Sequence, residues 1–484
     1  MTASGQVRLS SGLAGLDEIL GGGYIGARAY SVRGDSGTGK TILGYHFLTA
    51  GIETGETVLY FAFEETADNI TANAEALGFD LSEVEIVDMS PSATEFMDGG
   101  SYTVFGPGEV EGSEIVSRIG DAIERTEPDR VFMDPLTLLR HLTPDGYQFK
   151  RTAASLMSYL KQRGATTLFT TQSTAEQSDE DLQYLADGSI TLRRTGRGRE
   201  LEVEKFRGSD FRGGSHGFRI DAGRGLSVFP SLVPDDHAES FSYETLSTDI
   251  AALDDLLGGG IERGSIILVS GPSGVGKSTT GTAMAQSVAR GGGRAAAFLF
   301  EESIHSFVHR SEAIGLDVSG LRDEGALEIH EVEPLSISAD EFAHRVRESV
   351  KERNVDFVLL DGTAGYRLAL QNPDNELREE LHALCRYLRN MGVTVVLTDE
   401  LSSVTGTFQA SDSHVSYLAD TVVFLRYIEV DGEMQNAIGV LKKRFGPFEA
   451  TLRSFRIDAD GIHVGDTLSN LQGILTGTPT RRPD

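Results

Sequence analysis

Two stretches of this chain, Gly34-Asp35-Ser36-Gly37-Thr38-Gly39-Lys40-Thr41 and Gly271-Pro272-Ser273-Gly274-Val275-Gly276-Lys277-Ser278, combine spaced glycines with a lysine and a hydroxyl. Glycines let a backbone turn its N–H groups inward around phosphate oxygens. A helix that follows aims its positive end at the same oxygens. Lys40 and Lys277 are placed to reach β- and γ-phosphates, and the Thr41 and Ser278 hydroxyls to ligate Mg²⁺. Both stretches are complete Walker A sequences, so one ATP site is expected in each half of the chain.

Further residues fit the same chemistry. Val131-Phe132-Met133-Asp134 and Val358-Leu359-Leu360-Asp361 are apolar runs ending in an aspartate, which can stand beside a Mg²⁺ shell. Glu64-Glu65 and Glu301-Glu302 end another apolar run in each half. One carboxylate of such a pair can act as general base on a water or hydroxyl, and the other can support it or the metal, with Glu301 assigned to the metal shell. Late in each half come Lys205-Phe206-Arg207 and Lys442-Lys443-Arg444. Two cations one residue apart on a strand share a face. Lys205, Arg207, Lys442 and Arg444 are therefore candidate phosphate clamps, acting on the same ATP or on that of a neighbouring copy.

These residues recur with one spacing. Leu16-Asp17, Gly21-Gly22-Gly23, Lys40, Glu64-Glu65, Lys205 and Phe218-Arg219-Ile220-Asp221 all reappear 237 positions later. Asp134 and Asp361 are 227 apart, which implies about ten extra residues before this strand in the first copy, in the stretch 98–112. So long a period means duplicated domains, expected at 1–233 and 234–484, with the join in the Pro-, Asp- and Ser-rich stretch 230–242. In the first copy, apolar strands are expected at 28–34, 57–63, 130–133 and 166–171, with a helix from Lys40 to Ala50. Matching strands are expected at 265–271, 294–300, 357–360 and 393–398. Short apolar strands alternating with helices predict an α/β fold in which each domain is a mostly parallel sheet flanked by helices.

Bulk composition narrows the setting. Aspartate and glutamate outnumber lysine and arginine by 73 to 43, a net charge of −30. Such a surface repels phosphate backbones and argues against general nucleic-acid affinity. Its self-repulsion fades at about 1 M salt, where screening is short, so a high-salt cytoplasm such as a halophile's is expected. A lone cysteine, Cys385, fits a reducing compartment. The opening residues lack a signal-peptide pattern, and no apolar run reaches the roughly 20 residues of a membrane span.

Taken together, the chain resembles the KaiC family of RecA-like P-loop ATPases. The resemblance rests on Gly15-Leu16-Asp17-Glu18-Ile19-Leu20-Gly21-Gly22-Gly23, both Walker A stretches, Phe63-Glu64-Glu65-Thr66, Phe300-Glu301-Glu302-Ser303, Lys205-Phe206-Arg207-Gly208 and Thr476-Gly477-Thr478-Pro479-Thr480-Arg481. It implies a homohexamer with ATP between subunits, ATPase activity in the first domain, and autophosphorylation of the second. The family's phosphosites are adjacent Ser and Thr in a segment similar to 411–417; Ser416 takes the Ser place, Tyr417 replaces the Thr, and Ser411 keeps a hydroxyl nearby. Gly362 follows Asp361 where the family usually has Ser. The sequence stops at Asp484, short of the family's longer tail, so binding of the KaiA activator is not expected. An ATP-hydrolysing autokinase is the leading expectation. The alternatives are a signalling scaffold that uses ATP to hold its assembly together, and a DNA-dependent motor, which the acidic balance and the lack of a basic, aromatic-studded loop disfavour.

Overall fold

The computed structural model describes residues 6–90, 107–142, 146–172, 179–196, 198–333, 337–370, 374–401, 415–430, 432–475 and 480–481. The chain divides into two compact units, Met1–Ser231 and Leu232–Asp484. Each is built on a nine-stranded sheet. In the first unit the strands are β1 (Ala29–Arg33), β2 (Val58–Ala62), β3 (Glu85–Asp88), β4 (Arg130–Asp134), β5 (Thr166–Thr171), β6 (Gly188–Thr195), β7 (Gly198–Phe206), β8 (Ser215–Asp221) and β9 (Gly225–Phe229). In the second they are β10 (Ile266–Gly271), β11 (Ala295–Leu299), β12 (Leu327–Glu331), β13 (Phe357–Asp361), β14 (Thr394–Glu400), β15 (Thr421–Val430), β16 (Glu433–Lys443), β17 (Arg453–Asp458) and β18 (Gly461–Thr467).

The spatial order is β9-β8-β7-β6-β1-β5-β4-β2-β3 in the first sheet, and β18-β17-β16-β15-β10-β14-β13-β11-β12 in the second is the same order. From β6 to β3, and from β15 to β12, all pairings are parallel. The remaining strands add antiparallel hairpins at one side. This is the expected fold class: two tandem RecA-like domains, each a mostly parallel sheet flanked by helices. The antiparallel extension is the part that the apolar runs did not announce, because its strands mix buried and exposed positions.

The parallel strands are apolar because both their faces are covered. β2 and β11 are buried at every residue. Helix α1 (Lys40–Glu53) follows β1 and packs on β4, and its counterpart α2 (Lys277–Arg290) follows β10 and packs on β13. A glycine permits this approach in both copies. A Cβ on Gly44 would stand 2.1 Å from the Phe132 ring, and one on Gly281 would stand 2.7 Å from Leu359. The helix that carries the Walker lysine is thus pressed onto the strand that carries the aspartate. The repeated Leu-Asp motif also has a local reason. Asp17 accepts bonds from the Ser11 N–H and Ser10 Oγ, and Asp254 does the same with Thr248 and Ser247, pinning the segment before each sheet.

Of the expected insertion, residues 98–106 lie outside the described residues. From Pro107 to Thr126 the chain is helical. Among the described residues no helix is long and apolar enough to cross a membrane.

His46, on α1, is 8% exposed, and its Nε2 accepts the Leu226 N–H at 2.8 Å, so the ring is held neutral. Burial lowers its pKa from 6.5 to about 4. Its contribution to stability is complete above the unfolded-state pKa and is lost as pH falls towards the folded-state value. Denaturation at pH 7 and pH 5 should show the first unit losing about 2 kcal/mol from this group, and a His46→Gln variant losing correspondingly less. Equal losses in the two proteins would contradict it.

Candidate nucleotide sites

In each unit two strand ends and the start of a helix converge on one aspartate. Asp134 closes β4, and its Oδ2 accepts the Thr41 hydroxyl at 2.6 Å; the Thr170 hydroxyl, from β5, donates to Oδ1. Asp361 closes β13 and accepts Ser278 Oγ at 2.8 Å and Thr398 Oγ1 at 2.7 Å, both through Oδ1. Gly39 and Gly276 stand at φ 108° and 111° immediately before the helices, a conformation that glycine adopts without strain. Lys40 Nζ donates to the carbonyls of Gly34 (2.7 Å) and Asp35 (2.9 Å), and Lys277 Nζ to that of Pro272 (2.9 Å). Burial lowers the pKa of both lysines, and nearby carboxylates oppose the shift. A partly desolvated ammonium is a strong anchor for phosphate.

The glutamate pairs stand beside this point. The Phe63 N–H bonds to the Asp134 carbonyl, and the Phe300 N–H to that of Asp361, so Glu64 and Glu301 begin where the aspartates end. Glu64 and Glu65 are exposed, and Glu65 accepts one bond, from Asn73 Nδ2 at 3.1 Å. In the second unit, Glu301 Oε1 accepts the Gly365 N–H at 3.2 Å. Desolvation raises its pKa, and Glu400 and Asp361 add to the rise against the pull of Gly365 and Lys277. Glu302 is held by Arg310 at 2.6 Å.

The two sites differ in charge. At the end of β5 the first copy has Thr171 and Gln172, whereas at the end of β14 the second has Asp399 and Glu400. Asp399 is 2% exposed. Its Oδ1 accepts Thr363 Oγ1 at 2.6 Å, and its Oδ2 is buried without a partner among the described residues. Comparing the two copies position by position would have drawn attention to this pair; searching each half for motifs alone did not.

The late cations sit elsewhere. β7 ends at Phe206 and β16 at Lys443, so Arg207 and Arg444 lie past the strands instead of on them. The cause is that the partner strands begin there: Gly188 pairs with Phe206 and Thr421 with Lys443. Lys205 Nζ donates to the carbonyls of Gln183 (3.0 Å) and Ala186 (2.6 Å). Lys442 Nζ donates to those of Ala419 (2.7 Å) and Ser416 (3.5 Å). Arg444 pairs with buried Asp420 at 3.2 Å, and Arg207 with Asp187 at 3.9 Å. Asp187 and Asp420 bond to Ala29 and Ile266, the first residues of β1 and β10. The lysine ammoniums therefore lie roughly 15 Å along the sheet from their own Walker loops, which begin five residues later. Ser416 shares that location and is half-buried, with Tyr417 exposed beside it and stacked on His382. Ser411 to His414 and Thr476 to Pro479 lie outside the described residues.

Gly362 has a visible reason. Its φ is +100°, and a Cβ there would stand 2.8 Å from Glu301 Oε1. Gly362→Ser should displace the Glu301 carboxylate and lower the stability of the second unit by about 1–3 kcal/mol. Calorimetry of the second unit's transition checks this; an unchanged transition contradicts it.

Comparison with known proteins agrees with this geometry. The family model described as "ATPase: KaiC" matches twice, at residues 9–233 and 246–469. The chain is similar to circadian clock protein KaiC3 of Synechocystis sp., 28% identical over 493 residues, covering 98% of this chain and 94% of the relative. It is equally similar to circadian clock oscillator protein KaiC of Synechococcus elongatus, 28% identical over 484 residues, covering 97% and 91%. A match to the KaiC family model over both units, on two RecA-like domains that each assemble a Walker loop and its aspartate, shows that this chain belongs to the KaiC family of ATPases.

Proposed function

We propose that both sites bind and hydrolyse ATP with Mg²⁺, and that the second also transfers a phosphoryl group to Ser416 of a neighbouring copy. The residues fit the ion. A hydroxyl and a carboxylate stand within 2.8 Å of each other in both sites, hard oxygen donors of the kind Mg²⁺ prefers. Thr41 with Asp134, and Ser278 with Asp361 and Glu301, would hold it, with phosphate and water completing the shell. When bound, it neutralises charge on the β- and γ-phosphates.

The chain's own groups do the rest. Backbone N–H groups of 34–39 and 271–276 cradle the phosphates, and Lys40 and Lys277 anchor them. For hydrolysis, Glu65 or Glu302 accepts a proton from water as its oxygen attacks the γ-phosphorus and the bond to the ADP oxygen breaks; Glu64 supports its neighbour. In the transfer, Ser416 Oγ replaces water, a phosphoserine forms, ADP leaves and the proton passes to Glu302.

The observation that carries the reading is the distance between clamp and loop. Lys205 in the first unit, and Lys442 with Ser416 in the second, each lie at the end of their own sheet opposite its Walker loop. From there they do not reach their own Walker loop, which favours a phosphate on another copy, with Arg207 and Arg444 beside them. A homo-oligomer with ATP at its subunit interfaces follows, and family membership favours a ring of six. The names of the relatives point to signalling or timing. The net charge of −30 favours a high-salt cytoplasm.

Incubating the protein with Mg-ATP should add one phosphate by intact mass, and Ser416→Ala should not acquire it. When Lys277→Ala chains, which cannot anchor ATP, are assembled with Ser416→Ala chains, the phosphate should appear on the Lys277→Ala chains. No phosphate in any mixture contradicts the kinase and leaves the ATPase. Phosphate on wild-type chains but none in the mixture contradicts transfer between copies.

A further inference from the structure

The second glutamate of each pair has a different partner in the two copies. Position 73 in the first unit corresponds to position 310 in the second, at the same 237-residue spacing. Asn73 offers Glu65 one neutral hydrogen bond at 3.1 Å. Arg310 offers Glu302 a guanidinium, with Nη2 2.6 Å from Oε1 and Nε 3.5 Å from Oε2. Both carboxylate oxygens of Glu302 are therefore engaged.

Two more replacements hold that arginine in place. Its third nitrogen, Nη1, donates to Thr279 Oγ1 at 3.2 Å, and Thr279 is the second residue after the Walker lysine. Its guanidinium carbon lies 5.3 Å from the centre of the Phe307 ring, which is fully buried. The first unit has Ile42 and Ile70 at these positions, with no hydroxyl and no aromatic face. The arginine, its ring and its anchoring hydroxyl thus occur together in one copy, and none of them occurs in the other.

We propose that Arg310 is a positioning residue that withholds the Glu302 carboxylate, so that the second site turns ATP over more slowly than the first. This rests on the assignment of Glu302 as general base. A carboxylate acts as a base only when a lone pair faces the attacking hydroxyl. A charge-assisted bidentate pair fixes the side chain's rotamer and occupies its lone pairs, which turns them away from an attacking hydroxyl. The pair is partly open to water, at 32% and 24% side-chain exposure, so the restraint is moderate and reversible.

The test uses the full chain in a Glu65→Gln background, which leaves turnover to the second site. Arg310→Asn, the first unit's residue, should raise kcat about three- to tenfold with KM for ATP unchanged. Arg310→Lys, which keeps a cation on Glu302, should stay near the low starting rate. The reciprocal change, Asn73→Arg in a Glu302→Gln background, should slow the first site, and it stands in if Arg310→Asn does not fold. Arg310→Asn at or below the starting rate, or Asn73→Arg without effect, overturns the restraint alone. Glu302→Gln that leaves the rate of the Glu65→Gln background unchanged overturns the base assignment, and the restraint with it.

Discussion

The structure depends on a short hydrogen bond made twice, from the hydroxyl after the Walker lysine to the aspartate that ends a strand two places away in the sheet. To make it, the helix must lie close on that strand, which Gly44 and Gly281 permit. The strands must also run parallel, so that their carboxyl ends open on one side. Ligands in open parallel sheets bind along that edge. Lysine, hydroxyl, aspartate and paired glutamates therefore reach one point from three segments distant in sequence.

On that shared frame the copies have diverged in charge more than in shape. The first site keeps neutral Thr171 and Gln172 and leaves Glu65 with a single amide partner. The second adds Asp399 and Glu400 near Lys277 and crowds Glu301 among other acids, so its protonated form gains ground. Bound phosphate would meet more fixed negative charge there than in the first site. Such a site relies more heavily on its lysine and on a divalent ion to hold the same ligand. Two copies of one fold can in this way serve different rates without a change of topology.

Much of this was legible in the residues. Walker loops are local, and their glycines and lysine act within eight positions. β4, expected at 130–133, runs from Arg130 to Asp134, and β5 spans 166–171 as expected, because parallel strands buried on both faces read as unbroken apolar runs. The antiparallel side was less legible, since its alternation is weak. Lys205 and Lys442 announced themselves by recurrence, but not that each caps carbonyls at the far end of its own sheet, since those carbonyls come from residues some 20 positions earlier. Arg310 was hidden in plain view. Nothing marks an arginine eight residues after a glutamate until the copies are aligned and Asn73 is found in its place.

The central claim is that one chain holds two ATP sites. Titrating the full-length protein with a non-hydrolysable ATP analogue and Mg²⁺ by equilibrium dialysis, at high salt, measures this directly. The account predicts two molecules bound per chain, falling to one in Lys40→Ala and to one in Lys277→Ala. A single molecule bound per wild-type chain would contradict it.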